Sequence, residues 1–332
     1  MQGEKGMGKK VVFILGALIL IFSYLTFSTA TQALRTTSEM PKTIPSNEDT
    51  IRLVLITQEL DTPFWNKVGQ GAAEQAKLEN VQLEVWGSYG NNEEDFLKRV
   101  EIALHSKVSG IIVQGLDNEE FKELTKVKAA FYGIPVITVA NDVPVEESLR
   151  KTYIGSNQLE AGRMVAQRLV STMGTTGDII ILGDKKLAHY QKERLQGIQE
   201  VLKHYEGIQV TVRGTEDTKE QVMATTQQLM NETPQAQAFI AINANYAGPM
   251  IQEIGRRTRV EPYHIYTFDD GIESRTLLEQ GLLDGVLEQQ PERMGKESVK
   301  RFMKWLTNET VPLDSDGYLT EIRMAELDGT KQ

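Results

Sequence analysis

The sequence predicts an α/β protein built from two doubly wound, parallel-sheet lobes. From residue 51 onward, short runs of branched apolar residues alternate with amphipathic helical patterns. That rhythm belongs to parallel sheets with right-handed crossovers. It breaks at Tyr153–Ser156 and then starts again, so a second α/β block follows the first. The chain has 332 residues, of which 40% are hydrophobic and 25% charged, enough for two lobes of ordinary size.

The opening unit is Ile51–Trp65. Ile51, Leu53, Val54, Leu55 and Ile56 suit a buried strand, and Gln58–Thr62 form a polar exit loop. Thr62 then caps a helix whose first position is Pro63, and Val68, Ala72 and Ala76 fall on one face. Phe64 and Trp65 therefore lie at the carboxyl end of a parallel strand, where open α/β sheets bind ligands. The two rings suit either core packing or a platform for the apolar face of a ligand.

The rhythm continues with a strand at Val81–Trp86, a helix at Glu93–His105, a strand at Gly110–Val113 and a helix near Asn118–Tyr132. The fourth strand, Pro135–Val139, ends in Ala140-Asn141-Asp142, and Tyr153-Ile154-Gly155 reads as a crossing strand. In the second block, strands are expected at Asp178–Leu182, Ile208–Arg213, Ala238–Ile242, His264–Phe268 and Val286–Gln289. Helices are expected at Gln158–Met173, His189–Tyr205, Lys219–Asn231, Tyr246–Arg256, Glu273–Gln280 and Glu292–Leu306. Short strand-like pieces fill Val311–Leu327. The expected division gives 51–154 with a return segment near 287–312 to the first lobe, and 155–286 with 313–332 to the second.

An N-terminal hydrophobic helix precedes these lobes. Lys5, Lys9 and Lys10 flank Val11–Phe27, and no charge appears between Val11 and Leu34. A helix spans a bilayer with about 20 apolar residues, and basic residues stay on the cytoplasmic side. Residues 1–34 thus read as a retained anchor or a cleaved signal peptide. The triplets Ser28-Thr29-Ala30 and Thr31-Gln32-Ala33 offer small-residue cleavage sites. Residues 35–50, rich in Thr, Ser, Pro and Asn, read as a tether. The remainder is expected outside the cytoplasm, membrane-anchored if the segment stays and secreted or periplasmic if it is cut.

Several functions lack residues to carry them. A formal charge of −10 argues against nucleic acid. The absence of cysteine removes disulfides, thiolate metal sites, thiol nucleophiles and a lipid-modified cysteine. His105, His189, His204 and His264 lack ligand spacing, and no hydrolase elbow, phosphate loop or dinucleotide fingerprint occurs. The expectation is a protein that is not an enzyme and uses neither cofactor nor metal.

Polar residues gather instead at the ends of strands. Asn141 and Asp142 follow the fourth strand, Asn243 and Asn245 follow Ala238–Ile242, Asp269 and Asp270 follow His264–Phe268, and Gln289 ends Val286–Gln289. Each alone is an ordinary cap or turn residue. Together, on one rim with Phe64 and Trp65, they describe a cleft for a polyhydroxylated ligand, with rings for C–H faces and Asp, Asn and Gln for hydroxyls.

The ordered segments TPFW (62–65), IPVITVAND (134–142), YIGSNQLEAG (153–162), ERLQGI (193–198), AFIAINANYAG (238–248), TFDDG (267–271) and EQQPERMG (288–295) resemble the ribose- and galactose-type periplasmic sugar-binding proteins. The resemblance runs from Ile51 to the C-terminus. It implies a hinged type I periplasmic binding protein fold whose lobes close on a solute. It also implies that Phe64 and Trp65 stack on the ligand beside Thr62, that Asn141 meets its hydroxyls, and that Asn243, Asp269 and Gln289 are polar contacts. Lys192 falls where that family often has a ligand-binding arginine, while Arg194 reads as an anchor for its helix. Ala140 stands where an acidic residue is common, with Asp142 as a substitute. No aromatic residue lies near Thr215–Thr218 to cover the second face of a sugar.

The resemblance implies an extracytoplasmic protein that delivers a sugar or polyol to a membrane ABC permease. The alternative is a membrane-anchored sensing subunit that reports ligand to a histidine kinase, which the anchor and the missing lipid-attachment cysteine favour. A transcription regulator with similar lobes would need a helix-turn-helix where the hydrophobic segment stands.

Overall fold

The computed structural model describes residues 51–90, 92–256, 263–269 and 272–327. The hydrophobic helix expected within 1–34, the tether 35–50 and Asp270 lie outside the described residues. Among the described residues, no helix is long and apolar enough to cross a membrane.

Strand β1 (Arg52–Thr57) is buried beyond its first residue, as its branched apolar run requires. Helix α1 (Pro63–Leu78) starts as the sequence dictates: the Thr62 hydroxyl accepts the Trp65 N–H at 3.4 Å, and proline fills the first turn. Then follow β2 (Gln82–Gly87), α2 (Glu93–His105) and β3 (Gly110–Gln114). Helix α3 begins at Glu119–Glu123, widens into a π turn at Leu124–Lys128 and ends at Ala129–Tyr132. Strand β4 (Val136–Val139), the short α4 (Val145–Ser148) and β5 (Tyr153–Gly155) complete this block.

The second block runs α5 (Gln158–Met173), β6 (Thr176–Asp184), α6 (His189–Leu202), β7 (Gly207–Thr215), α7 (Lys219–Glu232) and β8 (Ala238–Ala241). After a 3-10 turn at Ala244–Tyr246 come α8 (Ala247–Ile254), β9 (His264–Phe268), α9 (Ile272–Glu279) and β10 (Gly285–Glu288). Helix α10 (Pro291–Leu306) and strands β11 (Tyr318–Leu319) and β12 (Arg323–Ala325) end the described chain.

Two six-stranded sheets result among the described residues, ordered β11-β5-β4-β3-β1-β2 and β12-β10-β9-β8-β6-β7. Every pairing in the first is parallel, and only β12 runs antiparallel in the second. Each sheet carries an apolar core on both faces. Leu53, Leu55 and Ile112 pack on one side of the first sheet, with Val54, Ile56 and Val113 on the other. Burial on both faces explains why these strands read as continuous apolar runs rather than alternations. The chain leaves the first sheet after β5, returns after β10, and crosses once more between β11 and β12. The sequence boundary at 313 needs correction here. Tyr318 and Leu319 pair with Ile154 and Gly155, so this segment belongs to the first sheet.

Paired glycines bring helices together in the same way on both sheets. A Cβ at Gly71 of α1 would run into the Glu292 carbonyl of α10, and one at Gly295 into the Val68 carbonyl. On the second sheet, Gly162 of α5 faces the Arg194 carbonyl of α6, and Gly197 faces the Leu159 carbonyl. Backbone-to-backbone approach of this kind is open only to glycine. The α5–α6 contact also fixes the backbone that carries Arg194.

Candidate functional site

The carboxyl ends of strands from both sheets line one cavity of about 370 Å³. From the first sheet, the residues beyond β1 supply Gln58, Glu59 and Thr62, those beyond β3 supply Leu116, Asp117 and Asn118, and the end of β4 supplies Asn141. From the second, β6 supplies Asp184, β7 Asp217, β8 Asn243 and Asn245, β9 Asp269 and β10 Gln289, with Tyr190 and Arg194 from α6. This is the geometry by which open α/β sheets bind ligands.

Arg194 holds the inner end of the cavity together. Its guanidinium donates to Gln158 Oε1 at 2.8 Å, to the Ile242 carbonyl at 2.8 Å and to Asp269 Oδ2 at 3.2 Å. Gln289 donates to the other Asp269 oxygen, and Gln158 donates to Gln289 Oε1 at 3.1 Å. Arg194, Asp269, Gln289 and Gln158 thus form a closed ring of hydrogen bonds. The Arg194 side chain is 2% exposed. Its charge is matched by Asp269 and by ring faces, with Phe268 at 4.4 Å and Tyr190 at 5.0 Å from the guanidinium carbon.

Backbone geometry presents Asp269 to the cavity. It sits just past β9 with φ of 68°, and Ala140 sits just past β4 with φ of 63°. Left-handed backbone at a non-glycine residue is costly and collects at functional positions. The two lobes thus turn the chain alike at matching strand ends. Gly115 lets the β3 and β4 loops nest, because a Cβ there would strike the Asn141 carbonyl.

The opposite wall holds the aromatic pair. Phe64 and Trp65 meet edge to face at 5.4 Å and 80°, and both line the cavity. Trp65 also belongs to the apolar core beside α10 and is only 4% exposed. Phe64 is half-buried and offers more ring to the cavity. The two readings of the sequence therefore divide: Trp65 serves largely as core and Phe64 as the accessible face.

The rim is acidic. Burial, then Asp217, Asp61 and Asp184, push the Glu59 carboxyl up to about 7. Burial also raises Asp184, against hydrogen bonds from Tyr246 and Gln191, and Asp217 adds to the rise. Burial pushes the Tyr190 phenol above its usual range, and its oxygen accepts from the Gln191 amide at 3.0 Å. Asn243 turns its Oδ1 to the Asn245 N–H at 3.1 Å, and Asp217 accepts from Asn245 at 3.2 Å.

Of the residues singled out in the sequence, Thr62, Phe64, Trp65, Asn141, Asn243, Asp269 and Gln289 meet in this cavity. Asp142 and Lys192 are not among its lining residues. Asp142 turns back to pair with Arg150 at 2.6 Å, because that buried guanidinium needs a counter-charge within its own lobe. Lys192 points to Asp117 at 2.8 Å. Arg194, expected as an anchor for its helix, makes those anchoring bonds and also lines the cavity, where Lys192 does not. The sequence reading missed Gln158, Tyr190, Asp184 and Glu59. Glu59, in the loop beyond β1, and Asp184, the last residue of β6, were open to the rule that found Asn243; nothing local marks Gln158.

A family profile described as a periplasmic binding protein domain matches residues 53–310. A xylitol-binding protein of Mycolicibacterium smegmatis is 24% identical over 251 residues, covering 73% of this chain and 70% of that protein. GanP, a glucose-galactose binding protein from Geobacillus stearothermophilus, superposes with a TM-score of 0.78 at 25% identity, covering 84% of this chain and 98% of its own. XylFII in its complex with LytSN superposes with a TM-score of 0.73 at 23% identity, covering 83% and 98%. The fold and the strand-end cleft are those of a two-lobed binding protein. The chain belongs to the periplasmic binding protein family.

Proposed function

We propose that this chain is an extracytoplasmic solute-binding protein, not an enzyme, that takes a neutral sugar or polyol between its lobes and delivers it to a membrane ABC importer. The observation that supports this most is the cleft itself. An accessible Phe64 ring faces a preformed hydrogen-bonding ring, Arg194–Asp269–Gln289–Gln158, with Asn141 and Asn243 nearby. A ring face suits sugar C–H groups, and the paired polar groups suit hydroxyls. In this reading Thr62, Phe64, Trp65, Asn141, Asn243, Asp269 and Gln289 contact ligand. The segments 155–158, 289–290 and 320–322 act as the hinge between a lobe on the first sheet and a lobe on the second. The names of the xylitol-binding and glucose-galactose-binding relatives agree with this ligand class.

A thermal-shift screen of sugars and polyols on the full chain tests the proposal, because a bound solute stabilises by mass action. A saturable rise in Tm with at least one member supports it. A flat response across pentoses, hexoses and their polyols rejects it.

A second reading has an observation of its own. The uncharged stretch Val11–Phe27 and the lack of any cysteine for lipid attachment suit a sensing subunit held at the membrane beside a histidine kinase. XylFII, solved in complex with a second protein, LytSN, is a relative of this fold seen with a protein partner. Affinity capture of the full chain from membranes separates the two readings: a permease supports delivery and a kinase supports sensing.

A further inference from the structure

Asp117 and Lys192 lie on different lobes and meet at 2.8 Å. Asp117 follows β3 of the first sheet, and Lys192 sits on α6 against the second. The first lobe fixes its half of this contact in advance. Lys122 of α3 holds the other Asp117 oxygen at 3.0 Å, and Lys122 is itself paired with Glu147 of α4. Asp117 therefore presents one oxygen, already oriented, to whatever approaches from the opposite lobe. Burial works against its charge, but hydrogen bonds from Lys192 and Lys122 hold its carboxyl below the usual range. Lys192 is 56% exposed and does not line the cavity. Two residues on, the same helix carries Arg194 into the inner ring.

We propose that the Lys192–Asp117 pair is an interlobe latch, which makes Lys192 a positioning residue that tunes ligand retention by holding the lobes together without touching ligand. This rests on the solute-binding reading above only for its consequence on retention. The need for a latch follows from the rest of the rim. Glu59 of the first lobe faces Asp184 and Asp217 of the second, so like charges oppose closure there. An oriented pair of opposite charge on the same cleft offsets part of that repulsion. A pair this exposed is worth little on its own, so its effect is modest and sensitive to salt.

The chain has no cysteine. Tyr89→Cys beyond β2 and Lys219→Cys at the start of α7 therefore place unique labels beside the outer strands of the two sheets. The interlobe distance of the full chain, without ligand, is read by double electron–electron resonance at low and high salt. In the labelled parent, added salt is expected to shift the distribution toward longer distances. Lys192→Ala should show the long distances already at low salt, Lys192→Arg should keep the parent distribution, and Lys192→Glu should open the lobes further. In an Asp117→Asn background, Lys192→Ala should change nothing more. A distribution unmoved by Lys192→Ala, or an equal effect with and without Asp117, overturns the latch. With a sugar that binds, Lys192→Ala should raise the dissociation rate roughly two- to fivefold. The distance measurement needs no ligand, so it decides the latch even if the solute class proves wrong.

Discussion

Arg194 and Asp269 meet at 3.2 Å at the inner end of the cleft, with the guanidinium 2% and the carboxylate 22% exposed. The cation is enclosed on the protein side, and the anion, held by Arg194 and Gln289, is the more exposed partner and lines the cavity. Removing Asp269 thus does two things at once. Asp269→Ala leaves a buried charge short of its partner, a loss of roughly 3–5 kcal/mol when a buried pair is broken. It also removes a charged hydrogen-bond acceptor from the ligand, about 1.5–3 kcal/mol, or at least roughly tenfold in affinity. Chemical denaturation and calorimetry on the same variant read the two losses separately.

Phe64 and Trp65 are adjacent, yet different outcomes are expected from them. Trp65 is 4% exposed and packed in the core beside α10. Trp65→Ala should destabilise by about 3–5 kcal/mol. Phe64→Ala should destabilise less and lower affinity by about 0.5–1.5 kcal/mol beyond lost area. Urea unfolding set against ligand titration checks the pair. Equal stability losses would contradict this division.

The helix crossings give a contrast between lobes. Gly162→Ala drives a Cβ into the Arg194 carbonyl, and Gly295→Ala drives one into the Val68 carbonyl. Overpacking costs about 1–3 kcal/mol in either case. Only the first displaces the backbone of Arg194, so Gly162→Ala should weaken ligand binding as well as stability. Gly295→Ala should lower Tm and leave affinity near the parent value, as calorimetry would show.

Glu59 makes stability depend on pH. Burial and its carboxylate neighbours Asp217, Asp61 and Asp184 raise it from 4.5 to about 7. Lys186, Asp117 and Glu93 line the same cavity. The folded state binds this proton more tightly than the unfolded one. Its contribution is therefore intact below pH 4.5, falls as pH rises toward 7, and is level above that. The full gap corresponds to about 3 kcal/mol, and solvent access reduces this to about 1 kcal/mol. Glu59→Gln should match the parent at low pH and exceed it above pH 7 in urea midpoints. Parallel curves across that range would refute the assignment.

The strands and most helices were legible because burial on both faces of a parallel sheet writes continuous apolar runs, as in Leu53–Ile56 and Ile111–Val113. Thr62-Pro63 announced its helix through a cap and a ring that suit a first turn. The rim residues Asn243, Asp269 and Gln289 were legible as polar residues just past strands. Asp142 has the same signature but serves Arg150, because a partner eight residues away leaves no local trace of which way a carboxylate turns. Arg194 and Lys192 share one helix, and periodicity alone does not tell which faces the inner ring. Gln158 joins that ring through a contact 131 residues distant, to Gln289. The π turn in α3 and the return of Tyr318–Leu319 to the first sheet depend on tertiary packing that short windows do not carry.

The central claim is that a hydroxyl-rich neutral solute binds at the Arg194–Asp269–Gln289–Gln158 ring. Isothermal titration of the full chain with glucose, galactose, xylose, arabinose and xylitol, repeated with Asp269→Asn, tests it most directly. The account predicts saturable one-to-one binding of at least one of these, weakened at least roughly tenfold in the variant. Binding of equal strength in parent and variant, or none by the folded parent, would contradict it.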